Sequence, residues 1–304
     1  MPDDNLTLSE LKKALRKFLN ASLVDMDDHF IHNFQCEVIR LEDLLRDTSR
    51  HIPPHKWSYY RIGLMKKGSG EFLIGIHKFK ATKNTFVTVP ARVISSSNSW
   101  SPDLEAYILL FNLDFFLQNN FPLQYIESKK ILCSSIQPYL YLTDEQAKEV
   151  EDIFETIIKE KQGNDPHKDE LIALKVIELL ILGERFYEEE LQLETNLPVV
   201  DIIKRFIDLL ELHFIHERSV SFYAVQLNVH PNHLNALIKK HTGRTAKESI
   251  QNRLILETKY LLHSTNLSIK EISGKVGFDD PNYFTAFFRR SEKMSPGDYR
   301  SSFV

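Results

Sequence analysis

The sequence predicts an α+β chain. A β-barrel or sandwich with a helix pair comes first, and an all-α domain with two helix-turn-helix motifs joined by a linker helix follows. Three observations predict it. The length of 304 residues suits two domains. Short aromatic and β-branched runs fill the chain to about Phe116, after which only helical periods occur. An internal repeat then occupies the last hundred residues. The expected domains are residues 1–195 and 196–304.

The elements follow in order. Thr7-x-x-Glu10 is a capping box for a first amphipathic helix, with Leu8, Leu11, Leu15 and Phe18 on one face to Leu19. Trp57 to Ile62 and Glu71 to Ile76 read as strands. Lys67-Gly68-Ser69-Gly70 between them is turn chemistry, so the pair reads as a hairpin. Thr85 to Val89, Arg92 to Ser95 and Ala106 to Phe111 read as further strands, with a bend at Pro90. Strands at this spacing suggest a small barrel or sandwich.

Thr143-x-x-Gln146 caps a helix to about Lys161, and Gly163-Asn164-Asp165-Pro166 breaks it. The next helix, about His167 to Glu190, is apolar on most sides and must be buried on more than one face. Its own subunit supplies both faces, or a second subunit supplies one. Asn196-Leu197-Pro198 reads as a linker, and Val199 to His216 as the first helix after it.

Two copies of one pattern come next. Val220, Tyr223, Leu227 and Val229 correspond to Ile269, Ile272, Val276 and Phe278. Each copy is a helix-turn-helix on physical grounds. Ala224 and Ser273 are small where a second helix crosses closely. Asn228 and Gly277 tolerate the positive φ of a tight turn. Pro231 and Pro281 suit the first turn of the second helix, and Asp280 is a good N-cap. Ser268-x-x-Glu271 caps the preceding helix, and Thr245-x-x-Glu248 caps a linking helix, about Ala246 to His263. Gly243 ends the first recognition helix. Leu234, Leu237, Ile238, Phe284, Phe287 and Phe288 are candidate core. Packing leaves unexplained the polar cluster Asn232, Asn235, Lys239, Lys240 and its counterpart Asn282, Thr285, Arg289, Arg290. Such a face suits DNA.

Charge at first argues otherwise. The chain has 38 Lys+Arg against 42 Asp+Glu, a net −4, and phosphate binding favours excess positive charge. The total hides a split. Residues 197–304 carry 15 basic and 11 acidic residues, or +4, and the remaining 23 basic and 31 acidic residues give −8. Two cysteines, Cys36 and Cys133, allow no disulfide framework and no cysteine-rich zinc site. The start Met1-Pro2-Asp3-Asp4 lacks signal-peptide character, and Leu171 to Leu182 is too short and charged to span a bilayer. A soluble, cytoplasmic protein with no membrane association is expected.

The second copy resembles the AraC/XylS family of bacterial transcription regulators. The resemblance rests on Ile269-x-x-Ile272-x-x-x-Val276-Gly277-Phe278-x-Asp280-Pro281-x-Tyr283-Phe284-x-x-x-Phe288-Arg289-Arg290, then Ser295-Pro296-x-x-Tyr299-Arg300. It covers about the last hundred residues. The chain departs from the family at Lys293, where Gly is usual, and at His230, where Ser or Thr usually caps. The resemblance implies a DNA-binding transcription regulator, an activator, that reads two successive major grooves per subunit. It implies base contacts from Asn232, Asn235, Asn282 and Thr285. Lys239, Lys240, Arg289 and Arg290 would contact phosphates or helix ends. Ala236 and Ala286 stand where longer readers are common, which leaves more to DNA shape. RNA polymerase, promoter DNA and a second copy of the chain are the implied partners.

The strands and helix pair resemble, by element order, the cupin-like effector-binding and dimerisation domain of many family members. The helix His167 to Glu190 is then the dimerisation candidate. A small-molecule effector would be met by Trp57, Tyr59 and Arg61, which alternation places on one strand face. Phe72, Ile74 and Phe86 are further lining candidates, and an anionic or aromatic ligand would suit. An ordinary barrel core fits the apolar members equally. No catalytic constellation, cofactor motif or metal-ligand cluster is found. His51 and His55 flank a Pro-Pro turn, His77 stands alone, and His230-x-x-His233 lacks further ligands. Two alternatives stay open: a small-molecule-binding or cupin-type enzymatic domain with a helical tail, and a regulator that needs no ligand.

Overall fold

The computed structural model describes residues 35–45, 52–133, 136–193, 197–242 and 244–302. The helix expected over residues 7–19, His51, Asn196 and Gly243 lie outside them.

Among the described residues, nine short strands make two antiparallel sheets. The strands are β1 (Cys36–Arg40), β2 (Ile52–His55), β3 (Tyr60–Lys67), β4 (Gly70–Ile74), β5 (His77–Ala81), β6 (Thr85–Val89), β7 (Ser95–Trp100), β8 (Glu105–Phe111) and β9 (Tyr139–Tyr141). One sheet runs β1-β8-β3-β6-β9 and the other β2-β7-β4-β5. Three short helices, α1 (Leu41–Leu45), α2 (Leu113–Gln118) and α3 (Leu123–Glu127), lie on the connections.

Three strand expectations need correction. β3 and β4 do not pair: β3 lies between β6 and β8, and β4 between β5 and β7. The turn is real, with Gly68 at φ +79°, but it carries the chain from one sheet to the other. The hairpin is β4–β5, register Ile74 to His77. Trp57 and Tyr59 both precede β3, and only Arg61 lies in the strand, so the Trp57–Tyr59–Arg61 strand alternation does not hold. Ala91 and Arg92 form a turn with Arg92 at φ +64°, and the strand follows as Ser95–Trp100.

The larger sheet is covered on both faces. One side packs on α4 (Asp144–Gln162) and α5 (Lys168–Leu193). Phe86, Tyr107 and Phe111 meet Phe154 and Val176 there, with Tyr107 and Phe154 stacked at 5.1 Å. The other side faces the smaller sheet through Met65, Ile74, Phe79 and Trp100. The Thr143 capping box is present, and α5 buries Ile172, Val176, Leu179 and Leu180 within its own subunit. Leu171 and Leu174 of α5 stay exposed.

After α5 every element is helical: α6 (Leu197–His213), α7 (Val220–Gln226), α8 (Pro231–Thr242), α9 (Ala246–Ser264), α10 (Ile269–Lys275), α11 (Pro281–Glu292) and α12 (Pro296–Ser301). They share a core built on Phe206, Leu210, Tyr223, Leu254, Phe284 and Phe288. Ile76, from the β4–β5 turn, joins that core and ties the two parts of the chain. Among the described residues no helix is long and apolar enough to cross a membrane.

Candidate nucleic-acid interface and effector cavity

Each helix-turn-helix is fixed by local hydrogen bonds. In the first, Ser219 caps α7 by accepting from the Phe222 N–H, and Tyr223 and Ala224 are buried beneath α8. Asn228 takes the turn at φ +54°. In the second, Ser268 and Glu271 form the expected capping box, and Ile272 and Ser273 are buried. Gly277 takes the turn at φ +75°, and a Cβ there would lie 2.6 Å from the Ile215 carbonyl oxygen. Only glycine meets both demands. Arg218 holds this turn closed: it donates to the Val276 and Gly277 carbonyls and lies 3.9 Å over the Phe278 ring.

Both departures from the family pattern keep their local role. His230 Nδ1 accepts from the Asn232 N–H at 3.2 Å, as Asp280 does from the Asn282 N–H at 2.8 Å. Lys293 ends α11 in the left-handed region, φ +64°, with its N–H on the Arg289 carbonyl. The Thr245–Glu248 box is present, and Ser295–Asp298 forms another.

The recognition helices α8 and α11 match almost position by position. Leu234 and Ile238 are buried, as are Phe284 and Phe288. Asn232, His233, Ala236, Lys239 and Lys240 are exposed, as are Asn282, Tyr283, Ala286, Arg289 and Arg290. Asn235 and Thr285 are half-buried, and each has one polar atom in an internal hydrogen bond. Asn235 Oδ1 accepts from the Lys247 N–H at 3.2 Å, and the Thr285 hydroxyl donates to the Pro281 carbonyl at 2.8 Å. Beside the first Asn of each helix, His233 and Tyr283 are also exposed, the latter 67%.

The linking helix α9 buries residues on several sides, among them Ile250, Arg253, Leu254, Leu256 and Leu262. Buried Arg253 pairs with Glu211 of α6 at 2.8 Å and with Glu257 at 3.0 Å, and lies 4.0 Å over Phe214. Glu257 also accepts from Lys56 Nζ at 3.2 Å, and Lys56 sits over the Tyr260 ring. Strand β2 packs on α9 beside this pair.

Residues 223–302 match the family described as a helix-turn-helix domain. A 91-residue segment is 33% identical to the HTH-type transcriptional activator RhaS of Salmonella schwarzengrund, covering 30% of this chain and 33% of that one. This segment is a helix-turn-helix domain similar to that of the activator. The chain spans about a third of the length of the curated relatives it matches. Among solved structures it is similar to unsaturated fatty acid-bound ToxT of Vibrio cholerae, at 15% identity and TM-score 0.39 over 88% of this chain and 95% of that one. It is also similar to the DNA-binding domain of AdpA in complex with a target DNA, at 23% identity and TM-score 0.30 over 35% and 92%.

Between the two sheets that precede the helix-turn-helix domain lies a cavity of about 150 Å³. Its walls are mainly apolar, with Leu64, Met65, Phe72, Ile74, Val89 and Trp100 among them. Trp57 and Arg61 line it, and Tyr59 and Phe86, buried elsewhere, do not. One corner is polar. His55 Nδ1–H donates to the Pro53 carbonyl at 3.0 Å, which leaves Nε2 to accept from Arg61 Nη1 at 2.8 Å and from the Ser95 hydroxyl at 3.0 Å. Ser95 Oγ in turn accepts from Arg61 Nη2 at 2.9 Å. Burial, and then the Arg61 charge, hold His55 down to about 3, so it is neutral at ordinary pH. Among the described residues no group of His, Cys, Asp and Glu is gathered to hold a metal.

Proposed function

We propose that this chain is a sequence-specific, DNA-binding transcription activator that places α8 and α11 in two successive major grooves on one face of a duplex. The observation that carries the reading is the matched exposure of the two helices, each ending in a pair of exposed cations. Helix α9 has 19 residues and so spans about 28 Å. That is near the roughly 34 Å between successive grooves. Asn232, His233, Asn282 and Tyr283 face the bases, and Lys239, Lys240, Arg289 and Arg290 meet phosphates. Asn235 and Thr285 act as supports, the first by bracing the start of α9.

The boundary at 195/196 divides a sensing part from a DNA-reading part. The cavity supports an effector site, with Trp57 and Arg61 as its polar face. The exposed Leu171 and Leu174 of α5 support pairing with a second copy of the chain through that helix. RNA polymerase is the partner of an activator bound at a promoter. The deciding test is selection of bound fragments from genomic DNA with the purified chain. The expected result is an enriched site of two segments about one helical turn apart, and recovery of no enriched motif sinks the reading.

A further inference from the structure

The cavity between the sheets holds a charge with no counter-charge among the described residues. Arg61 has five N–H donors. Two are engaged by neutral acceptors, His55 Nε2 and Ser95 Oγ. Its Nε–H has no hydrogen-bond partner among the described residues. One face of the guanidinium is covered by Trp57, at 4.8 Å from the ring centroid. The side chain is buried, and no carboxylate among the described residues makes an ion pair with it. An unpaired buried charge is costly, and the cost falls when an anion with hydrogen-bonding oxygens is placed beside it.

We propose, resting on the reading of this cavity as the effector site, that its ligand is a compact apolar monocarboxylate, held by Arg61 with its hydrocarbon part against the walls of both sheets. Three features set the class. The guanidinium edge suits a carboxylate, which accepts two N–H bonds in parallel. Walls of Leu64, Met65, Phe72, Val89 and Trp100 offer little to hydroxyl groups, so a polyol would lose more hydrogen bonds to water than it regains. A volume of about 150 Å³ matches the space that holds a single benzene ring, not a long acyl chain. Burial lowers the Arg61 guanidinium to about 9, so it remains a cation at neutral pH. The site also has a route to the DNA-binding part: His55 adjoins Lys56, and Lys56 pairs with Glu257 of α9.

The test is calorimetric titration of the full chain with benzoate and hexanoate, each beside its neutral amide. Both acids are expected to bind at least tenfold more tightly than their amides. Arg61→Gln is expected to bring benzoate level with benzamide, and Arg61→Lys to restore part of the difference. Circular dichroism reports whether each variant folds. If Arg61→Gln does not fold, the acid–amide comparison on the unaltered chain decides alone. Acid and amide binding equally, neither acid binding at millimolar concentration, or an acid preference surviving in Arg61→Gln each overturns the proposal. Fragment selection run separately keeps the two readings apart. Acid binding without an enriched DNA motif would sink the regulator and leave this site standing. An enriched motif without acid discrimination does the reverse.

Discussion

Replacing Glu257 by Gln removes one charge from a connected set while keeping the shape of the side chain. Glu257 accepts from Arg253 Nη1 at 3.0 Å and from Lys56 Nζ at 3.2 Å. The Arg253 side chain is 6% exposed, Glu257 13% and Lys56 26%. Stripping a buried charge of its sole partner costs about 3–5 kcal/mol. That figure does not apply, because Arg253 keeps Glu211 at 2.8 Å and the Phe214 ring at 4.0 Å. What is lost is the charge assistance of one buried hydrogen bond, about 1–2 kcal/mol, and a part-exposed pair with Lys56 worth about 0.2–1 kcal/mol. The expected destabilisation is therefore about 1–3 kcal/mol. Urea unfolding at pH 7, followed by fluorescence and circular dichroism, measures it. The double substitution Glu211→Gln with Glu257→Gln leaves Arg253 unpaired and should cost more than the sum of the singles. A single effect under about 0.5 kcal/mol together with additive doubles would refute the view that this network ties α9 to α6 and to the sheets.

Gly277→Ala puts a Cβ 2.6 Å from a backbone oxygen at φ +75° and should cost at least about 2 kcal/mol in thermal or urea unfolding; a loss under about 0.5 kcal/mol would contradict the close approach. Burial holds His55 down to about 3 and His77 down to about 4, from an ordinary 6.5. Each is thus neutral when folded and takes up a proton on unfolding below pH 6.5. Stability should be full above that pH and fall between 6.5 and 5 by up to about 1.4 kcal/mol per unit per histidine. Urea midpoints at pH 7, 6 and 5 should show the fall, and His77→Leu should reduce it. Asn282→Ala should cost about 1–3 kcal/mol at the selected site and little on random DNA, by fluorescence anisotropy; equal losses on both would remove it from base reading. Lys239→Ala should weaken binding to all sequences and flatten its salt dependence, and an unchanged slope would take it off the phosphate list.

What was legible in the sequence was local. The Thr143, Thr245 and Ser268 boxes, the Asp280 cap and the turns at Asn228 and Gly277 are set by residues within three or four positions, and each stands where expected. Strand pairing is not local. The Lys67–Gly70 turn gives no sign that its flanking strands enter different sheets. β7 reads Ser-Ser-Ser-Asn-Ser-Trp, with almost no strand-forming composition, and is held by its partners β2 and β4. β2 carries Pro53 and Pro54, which read as a turn. It is an edge strand, where a missing N–H can be tolerated. The candidate interface was legible in composition, while the hydrogen bonds of Asn235 to the start of α9 and of Thr285 to the Pro281 carbonyl had no sequence signal.

The matched burial of α8 and α11 makes their differences informative. The buried sets are apolar in both, so either helix is held at a similar depth on the shared core. The outward sets differ: Asn, His, Ala, Lys, Lys on one and Asn, Tyr, Ala, Arg, Arg on the other. His and Tyr present different donors, acceptors and apolar edges to a groove, and Arg binds phosphate as a fork where Lys acts as a point charge. If both helices read DNA as proposed, they would select two unlike segments, and a single subunit would define a site with a direction and no internal dyad. The acidic body sharpens the orientation further. With −8 on the residues before 197 and +4 on those after, phosphate repels one part and attracts the other. On the proposed reading, a directional site and a repelled body together would set which way the part before residue 196 points along and away from the duplex. The proposed activator, which would have to meet another protein at a defined place on the DNA, would need that geometry.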